Sequence, residues 1–329
     1  MRGLPLQFTK LANLASDQLS ACMGHVNSMA MPIRSTYRTL LKSLLQPRLI
    51  LRARKAIGTE SLSSIKRNYR FHYLRVTKRN TPFKNQAMKL REAIYSFHYT
   101  TLNKVFDKGC VELFVEGGAV LWRSELDPAL TIVLKQGVPE YRDGEIELQF
   151  RQGVRTIFVM GFVIIPPNSI YKKSEYGVLV TRVQGTPEYL KVFKEIRDSV
   201  LDVGVNHLLF AALRGVAAYI GVKNIYGVGT HLQSYVLPER FARFDKCYDQ
   251  FWELLQATKM PNGFYQIPIP YVDKDITLIS QHHRSRARRK RGFKNSIIES
   301  VFSSIRILNP YAANRLSNSW FLPKYQLDN

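Results

Sequence analysis

The densest group of side chains able to do chemistry lies near the carboxyl end of the chain. Arginine and lysine fill six of the eight positions from 284 to 291, with no acidic residue among them: Arg284, Arg286, Arg288, Arg289, Lys290 and Arg291. Such cations bind phosphate oxygens through charge and paired hydrogen bonds. The run therefore predicts an anionic partner, either the phospholipid of an inner membrane leaflet or RNA. A solvated helix face is the alternative interpretation.

A second candidate is the short loop of Gln184, Gly185 and Thr186 at the end of a predicted strand. Thr186 is suited to cap a helix whose first residue is Pro187, and a helix N-terminus offers N–H groups to a phosphate. This order resembles the GCN5-related N-acetyltransferase fold, where a splayed strand and a helix N-terminus cradle a pyrophosphate. The resemblance implies acyl-CoA as a cofactor. It is incomplete, because the glycine-rich loop of that fold is absent and Pro187 lacks an N–H group.

Histidine offers the remaining acid–base chemistry. His98 and His231 could exchange protons near neutral pH, although a histidine held in a structural hydrogen bond is the commoner case. The seven histidines form no HExxH pattern, and the chain lacks a Walker A loop and a serine nucleophile elbow. We therefore predict no bound metal, and no cofactor unless the acyl-CoA alternative holds.

The elements that must position these groups begin with four β-strands. Apolar and β-branched runs are separated by short turns, which predicts strands at Leu130–Lys135, Glu145–Arg151, Arg155–Ile165 and Tyr176–Gln184. Most of the gaps are too short for the crossovers that parallel strands require, so we predict an antiparallel meander. Polar and apolar residues alternate from 145 to 150, which indicates a strand with one exposed face.

Helical spacing follows the strands. The first helix after Pro187 is predicted to bury one face, formed by Leu190, Phe193, Ile196, Val200 and Val203. A second helix should run from Asn206 to a left-handed cap at Gly221, before a strand at Val222–Val228. A third helix is predicted at Lys246–Leu255. This order predicts an α+β fold, in which helices cover an antiparallel sheet.

Positive charge is concentrated in two segments of the 329-residue chain. The net charge is +23, of which residues 34–104 carry +15 and residues 284–329 carry +8, whereas residues 105–283 carry −1. The sequence thus predicts four parts: a poorly defined segment 1–33, a basic helical region 34–104, an α+β core 105–283 and a basic segment 284–329. Clustered cations attract partners that carry phosphate.

Composition bears on the compartment. Only three widely spaced cysteines are present, which excludes a disulfide framework and indicates a reducing environment. Polar residues interrupt the amino-terminal segment, so we expect no secretory signal, and no apolar run reaches the ~18–20 residues of a membrane span. We expect a cytoplasmic protein, with peripheral attachment to the inner face of a membrane as a further possibility.

A set of motifs links the chain to a known family. They are His98-Tyr99, Gln184-Gly185, Tyr248-Asp249, Phe251-Trp252 and Gly263-Phe264. With the basic run, they resemble the signature of the bacterial VirK/YbjX family over roughly residues 60–295. The resemblance implies a proteobacterial protein connected with virulence, envelope stress and tolerance of cationic antimicrobial peptides. It implies no reaction.

Two functions stay open at this point. The favoured one is a non-enzymatic protein that docks on an anionic partner through its basic ends, while its neutral core is free to bind another protein. The alternative is an acyl-CoA-dependent acyltransferase of the GCN5-related type. The segregation of charge supports the first function, and the order of strand, loop and helix supports the second.

Overall fold

The computed structural model describes residues 46–68, 88–137, 144–172, 174–233 and 248–310. The segment 1–33, residues 34–45 and 69–87 of the predicted basic helical region, and the predicted helix start at 246 lie outside these residues. Within the described ranges, no helix combines the length and the apolar character needed to cross a bilayer.

Eight strands form one sheet. They are β1 Ala119–Arg123, β2 Leu130–Gln136, β3 Ile146–Gln152, β4 Arg155–Ile165, β5 Gly177–Gly185, β6 Asn224–Val228, β7 Thr258–Lys259 and β8 Phe264–Pro268. Their order is β1-β2-β3-β4-β5-β6-β8-β7, and every neighbouring pair is antiparallel except β5 and β6. The predicted α+β fold with its antiparallel meander is confirmed. Strands β2 to β5 begin and end within one residue of the predicted bounds.

Strand β3 is buried on both faces, which corrects the prediction of a half-exposed strand. Leu148 and Phe150 belong to the main core, and on the opposite face Glu147 and Gln149 are only 3% and 7% exposed. Alternating polarity distinguishes the two faces of a strand but does not tell what covers each of them. The polar face is satisfied internally, since the Gln149 amide donates a 3.1 Å hydrogen bond to Glu147.

The described part of the chain contains eight α-helices. They are α1 Pro47–Ala56, α2 Ser63–Asn68, α3 Met88–Val105, α4 Lys108–Glu116, α5 Tyr189–Ile196, α6 Val205–Ile220, α7 Asp249–Leu254 and α8 Gln281–Leu308. Helix α6 ends as predicted at Gly221, whose φ of 80° is the left-handed conformation that glycine adopts without strain.

The helix after β5 begins later than predicted. Helix α5 starts at Tyr189 with Glu188 in the N-cap position, so Thr186 does not cap it. The N–H of Thr186 still donates to the carbonyl of Ile157 on β4, and its own carbonyl accepts from Tyr189. Thr186 is still hydrogen-bonded to strand β4, so the chain remains joined to the sheet there. The helix can begin only after a turn that follows it.

Three residues of the predicted buried face, Ile196, Val200 and Val203, are buried, but α5 ends at Ile196 and its first predicted contact is wrong. Leu190 is 72% exposed, whereas Val192 and Ile196 are buried. Each residue turns about 100° around a helix, so residues three apart fall about 60° short of a full turn. Residues that repeat at this spacing therefore do not stay on one face. The predicted stripe therefore began on the solvent side.

Helices cover both faces of the sheet. On one face α6 packs beside α8, at a point where a Cβ on Gly215 would lie 2.7 Å from the carbonyl oxygen of Ile298. Val301 and Ile305 of α8 are buried there in the main core. On the other face Ile94 of α3 packs in a smaller apolar cluster with residues of β4, β5, β6 and β8.

Candidate functional site

The parallel strands β5 and β6 pair over three residues only. Val178–Val180 lies beside Ile225–Gly227, after which β5 continues to Gly185 along β4 alone. Thr181 is an extra residue in β5, because the register passes from Phe162 opposite Val180 to Gly161 opposite Arg182. This β-bulge lies where the pairing with β6 ends. We call the region beyond it, between β5 and the end of β6, the fork.

Side chains reach the edge of β5 inside the fork. The N–H of Val183 donates a 3.3 Å hydrogen bond to the hydroxyl of Tyr248, at the start of α7. The Gln233 amide lies 3.4 Å from the carbonyl oxygen of Thr181. The backbone groups that would bond a neighbouring strand therefore bond side chains instead. A ligand with amide groups could replace these contacts.

The family motifs at 248–252 lie beside the fork. The indole of Trp252 packs on Gly227, where a Cβ would lie 2.2 Å from a ring carbon, and its N–H donates to the carbonyl of Val228. Phe251 packs against α6, and its ring lies 6.3 Å from that of Phe210. Motif residues that are distant in sequence from β6 thus fix the end of that strand.

Asp249 holds the turn that follows β6. Its carboxylate accepts hydrogen bonds of 2.7 Å from the Thr230 N–H and from the Tyr265 hydroxyl, and it lies 3.4 Å from Lys259 Nζ. Burial opposes ionisation of Asp249, yet these hydrogen bonds and the lysine charge outweigh it and lower its pKa. Burial and the bond to Asp249 raise the pKa of Tyr265 to about 12. The group therefore stays an ionised carboxylate held by a neutral phenol.

The motif pair Gly263-Phe264 belongs to the hairpin between β7 and β8. Gly263 has a φ of 84°, and its carbonyl accepts a hydrogen bond from the N–H of Gly229. Phe264 opens β8 opposite Val228 and is buried in the smaller apolar cluster. This pair thus connects the hairpin to the end of β6.

His98 and Tyr99 lie on α3, on elements other than those that form the fork. His98 is fully buried, and its Nδ1 accepts a 3.1 Å hydrogen bond from the N–H of Ile164. Ile164 lies in β4 beyond the end of β3, so the histidine takes the place of a strand partner. The Tyr99 hydroxyl donates a 2.7 Å bond to Glu145. These contacts support a structural role for the pair.

The other predicted acid–base histidine, His231, is exposed in a short 3-10 helix after β6.

The predicted cofactor loop lies at the outer end of the fork. Gln184 is exposed, and Gly185 is packed against Phe158 and Tyr189, where a Cβ would lie 3.0 to 3.1 Å from their side chains. Glu188 at the helix start forms a 2.8 Å ion pair with Arg155. A carboxylate in this place disfavours a pyrophosphate at the N-terminus of α5.

A polar row crosses the sheet toward the fork. Arg182 of β5 reaches over Gly161 of β4 and lies 3.5 Å from the carboxylate of Glu147 on β3. The side chain of Arg182 is 14% exposed and that of Glu147 is 4% exposed, so this pair is shielded from water. Arg182 also donates a 2.9 Å bond to Gln184. Ionisable groups therefore extend from the middle of the sheet to the edge of the fork.

Carboxylates pair with part of the predicted basic run. Arg286 and Lys290 both bind Asp202, which lies in the connection between α5 and α6. Lys294, one turn farther along α8, lies 2.9 Å from Asp273. These contacts fasten the first half of α8 to the rest of the protein.

Other members of the run form no ion pair within 4.0 Å in the described residues, although Arg284 and Arg291 interact electrostatically with Asp275. Arg284 and Arg291 donate to backbone carbonyls in the segment 274–279. Arg288 and Arg289 are exposed on α8, with no hydrogen-bond acceptor within the described ranges. In the same part of the chain, no three His, Cys, Asp or Glu side chains are grouped so that they could hold a metal ion.

Comparison with known proteins identifies the family but not the activity. A family model described as "Protein of unknown function (DUF535)" matches residues 31–301. The chain belongs to the DUF535 family. VirK/YbjX is the family known by that designation, so the resemblance drawn from the sequence agrees with the match, although no named relative confirms it. No curated protein and no solved structure matches the DUF535 chain.

Sequence reasoning missed several residues at the site of this DUF535 member. Tyr265 and Lys259 on the terminal hairpin were not singled out as partners of Asp249, and Arg182 was not paired with Glu147. The polar alternation of β3 was a visible signal for Glu147. The pairing of Arg182 with Glu147 depends on the register of three strands, which cannot be inferred from one sequence.

Proposed function

We propose that this DUF535 protein binds an acyl thioester of the coenzyme A type in the fork and transfers its acyl group to an amine. The observation that carries the proposal is the parallel pair β5 and β6, which separates after three paired residues beside a β-bulge. Strand β6 ends at Val228, one residue past this pairing, so within the described residues the edge of β5 beyond it has no strand beside it. The GCN5-related fold receives its cofactor at an opening of this kind, beside a splayed strand. The N–H of Val183 and the carbonyl of Thr181 in the fork, which bond Tyr248 and Gln233, would bond the amides of a pantetheine arm in their place.

The chemistry assigns roles to two side chains. The amine attacks the thioester carbonyl carbon, so that a C–N bond forms, the C–S bond breaks and the sulfur leaves as a thiolate that needs a proton. The hydroxyl of Tyr248, bonded to Val183 in the fork, is suited to supply that proton. Glu147, paired with Arg182, is our candidate for the group that takes the proton of the amine.

The test is binding and turnover with the full chain. Titration calorimetry with acetyl-CoA is expected to show saturable binding, and a screen of amines with radiolabelled acetyl-CoA is expected to show transfer. Tyr248→Phe should keep binding and reduce transfer by about 10²-fold or more. Tyr171→Phe is the matched control, since Tyr171 is 37% exposed and lies outside the fork.

Two results would contradict the proposal. One is the absence of any binding or thermal stabilisation by acetyl-CoA at millimolar concentration. The other is an equal rate of transfer in wild type and Tyr248→Phe, which would show that Tyr248 does not supply the proton to the leaving thiolate.

A second candidate function is docking on an anionic phospholipid surface. Two features favour it. Arg288 and Arg289 are exposed on α8, and two exposed apolar side chains lie in the segment 272–278, which contacts the first half of α8. Val272 is 78% exposed and Leu278 is 68% exposed. Cations with exposed apolar neighbours suit a lipid interface better than RNA, which offers no apolar phase.

Vesicle sedimentation at varied salt tests this second function. Vesicles with phosphatidylglycerol should bind the protein at low salt, and neutral vesicles should not. The double variant Val272→Ser, Leu278→Ser should weaken binding, whereas Leu254→Ser, at 72% exposure on α7, should not. Equal binding by all variants, or tighter binding to RNA than to vesicles, would argue against it.

A further inference from the structure

A buried arginine on α6 has no anionic partner in the described parts of the chain. Arg214 is 3% exposed, and one Nη of its guanidinium lies 3.4 Å from the carbonyl oxygen of Tyr271. The guanidinium also lies 4.7 Å from the centre of the Tyr271 ring, and its Nε makes no hydrogen bond. A buried charge normally has a counter-ion, because water no longer solvates it. This arginine is therefore charged, buried and incompletely bonded.

The surroundings of Arg214 are also cationic. Arg291 of α8 donates to the carbonyl of residue 274, and Lys294 of α8 pairs with Asp273, so both side chains border the segment that carries Tyr271. Burial, and then the charge of Asp273, raise the pKa of Tyr271, and the charges of Arg214 and Arg291 oppose this rise. Asp273 offsets the charge of Lys294, and Asp275 interacts electrostatically with Arg291. Arg214 is the member of the three without a carboxylate partner in the described parts of the chain.

We propose that Arg214, Arg291 and Lys294 form a binding site for a phosphate group, between α6, α8 and the segment at Tyr271. A guanidinium offers N–H groups in a planar fork that matches two phosphate oxygens, and Arg214 has its Nε available for this purpose. Lysine adds a point charge, and the phenol of Tyr271 can donate a further hydrogen bond. The phosphate can belong to a soluble phosphate ester or to a lipid headgroup. This site is independent of acyl transfer in the fork.

The experiment measures binding of inorganic phosphate and pyrophosphate to the full chain at constant ionic strength, with chloride as the reference anion. Wild type should bind saturably, and Arg214→Met should bind at least tenfold more weakly. Arg306→Met is the matched control, because Arg306 is an exposed arginine of α8 in its second half, 15 residues beyond Arg291. Its affinity should stay that of wild type. Absence of saturable binding to wild type, or equal affinity in Arg214→Met, would overturn the site.

The stability of the variant separates a binding role from a structural one. Methionine has a similar length and no charge, so Arg214→Met without ligand should unfold at a temperature no lower than wild type. Arg214→Lys keeps the charge but loses the planar fork, and it should bind phosphate more weakly than wild type. A large loss of stability in Arg214→Met, with phosphate binding unchanged in Arg214→Lys, would show that Tyr271 already satisfies the arginine.

Vesicles containing phosphatidic acid separate the two sources of phosphate. If the headgroup is the ligand, Arg214→Met should bind these vesicles more weakly, and free phosphate should compete with them. If a soluble ester is the ligand, free phosphate should bind while the vesicles do not compete with it. Vesicle binding that neither phosphate nor Arg214→Met reduces would exclude the headgroup from this site.

Discussion

Burial decides the charge of His207 on α6. Burial, and then the charges of Lys294 and Lys290, lower the pKa of this imidazole to about 4. The unfolded chain takes up the proton below about pH 6.5, whereas the folded chain stays neutral until about pH 4. The stability that this histidine contributes is therefore complete above pH 6.5 and is lost as the pH falls to 4. We predict a loss of about 2–3 kcal/mol from this group across that window, measured by urea unfolding.

A variant isolates this effect from the carboxylates, which titrate at lower pH. In His207→Gln the slope of stability against pH between 6.5 and 5 should become shallower, because the titrating group is gone. His283→Gln changes an exposed histidine of α8 and should leave the slope as it is in wild type. Identical slopes in wild type and His207→Gln would contradict the prediction.

A single methyl group should disturb the fork. In Gly227→Ala the new Cβ would lie 2.2 to 2.6 Å from three atoms of the fully buried Trp252 ring. The indole cannot move without breaking its bond to Val228, so overpacking should cost about 2–4 kcal/mol of unfolding free energy. Gly292→Ala is the control, since nothing lies within 4 Å of its added Cβ. A chemical denaturation curve for each variant checks this, and equal midpoints would contradict it.

At the scale of elements, the two halves of α8 are held by different forces. The first half is fastened by ion pairs, and Asp202 alone accepts from both Arg286 and Lys290. The second half is fastened by apolar packing, in which Ile297 and Val301 are fully buried. Partly exposed ion pairs contribute little stability each, whereas buried aliphatic side chains contribute more. The first half is therefore the part that opens more easily.

Hydrogen exchange should reveal this difference. Asp202→Asn removes the shared charge without backbone strain, because the residue has a φ of 52° and asparagine accepts that conformation. Amide exchange should become several-fold faster in residues 281–294 and stay unchanged in residues 297–308. Asp198→Asn is the control, with a side chain 98% exposed. Uniform acceleration along α8, or none, would show that Asp202 does not hold the first half.

An element can be predicted from the sequence when the interactions that form it lie between residues close together in the chain. Strands β2 to β5 were predictable because period-two patterns and turn residues are local signals. The start of α5 was not, since the ladder bond of Thr186 to Ile157 comes from the neighbouring strand. The bulge at Thr181 follows from register, which one sequence does not reveal. A helix at α7 was predictable from its helical spacing, whereas the contact of Trp252 with Gly227 could not be inferred.

At the scale of the whole molecule, the chain makes one continuous main core from segments far apart in sequence. Buried residues of α1, α3, α4, the sheet, α6 and α8 belong to the same apolar cluster. Asn309, just after α8, is fully buried and donates to the carbonyl of Val105 and to the hydroxyl of Tyr219, while it accepts from the N–H of Asp107. The end of α8 is thereby joined to α6 and to the connection between α3 and α4.

A matched pair of substitutions on α8 tests how much folding depends on this helix. Val301→Asp places a carboxylate at a fully buried position and should prevent stable folding, since an unpaired buried charge costs several kcal/mol. Ile307→Asp changes a side chain that is 75% exposed on the same helix and should alter stability by less than about 0.5 kcal/mol. Circular dichroism and size-exclusion chromatography compare the two. A native Val301→Asp protein would show that α8 is dispensable.

The hydrogen bonds of the Asn309 side chain also set an order of events during synthesis of the chain. Val105 and Asp107 emerge from the ribosome about 200 residues earlier, at a translation rate of roughly 5–20 residues per second, so they wait at least ten seconds or so for the amide that binds them. Tyr219 of α6 precedes Asn309 by 90 residues, and until α8 follows, the face of α6 at Gly215 that packs on Ile298 is uncovered and accessible to chaperones. A nascent chain arrested before α8 is translated should therefore be sensitive to protease and should become resistant once that helix has left the exit tunnel.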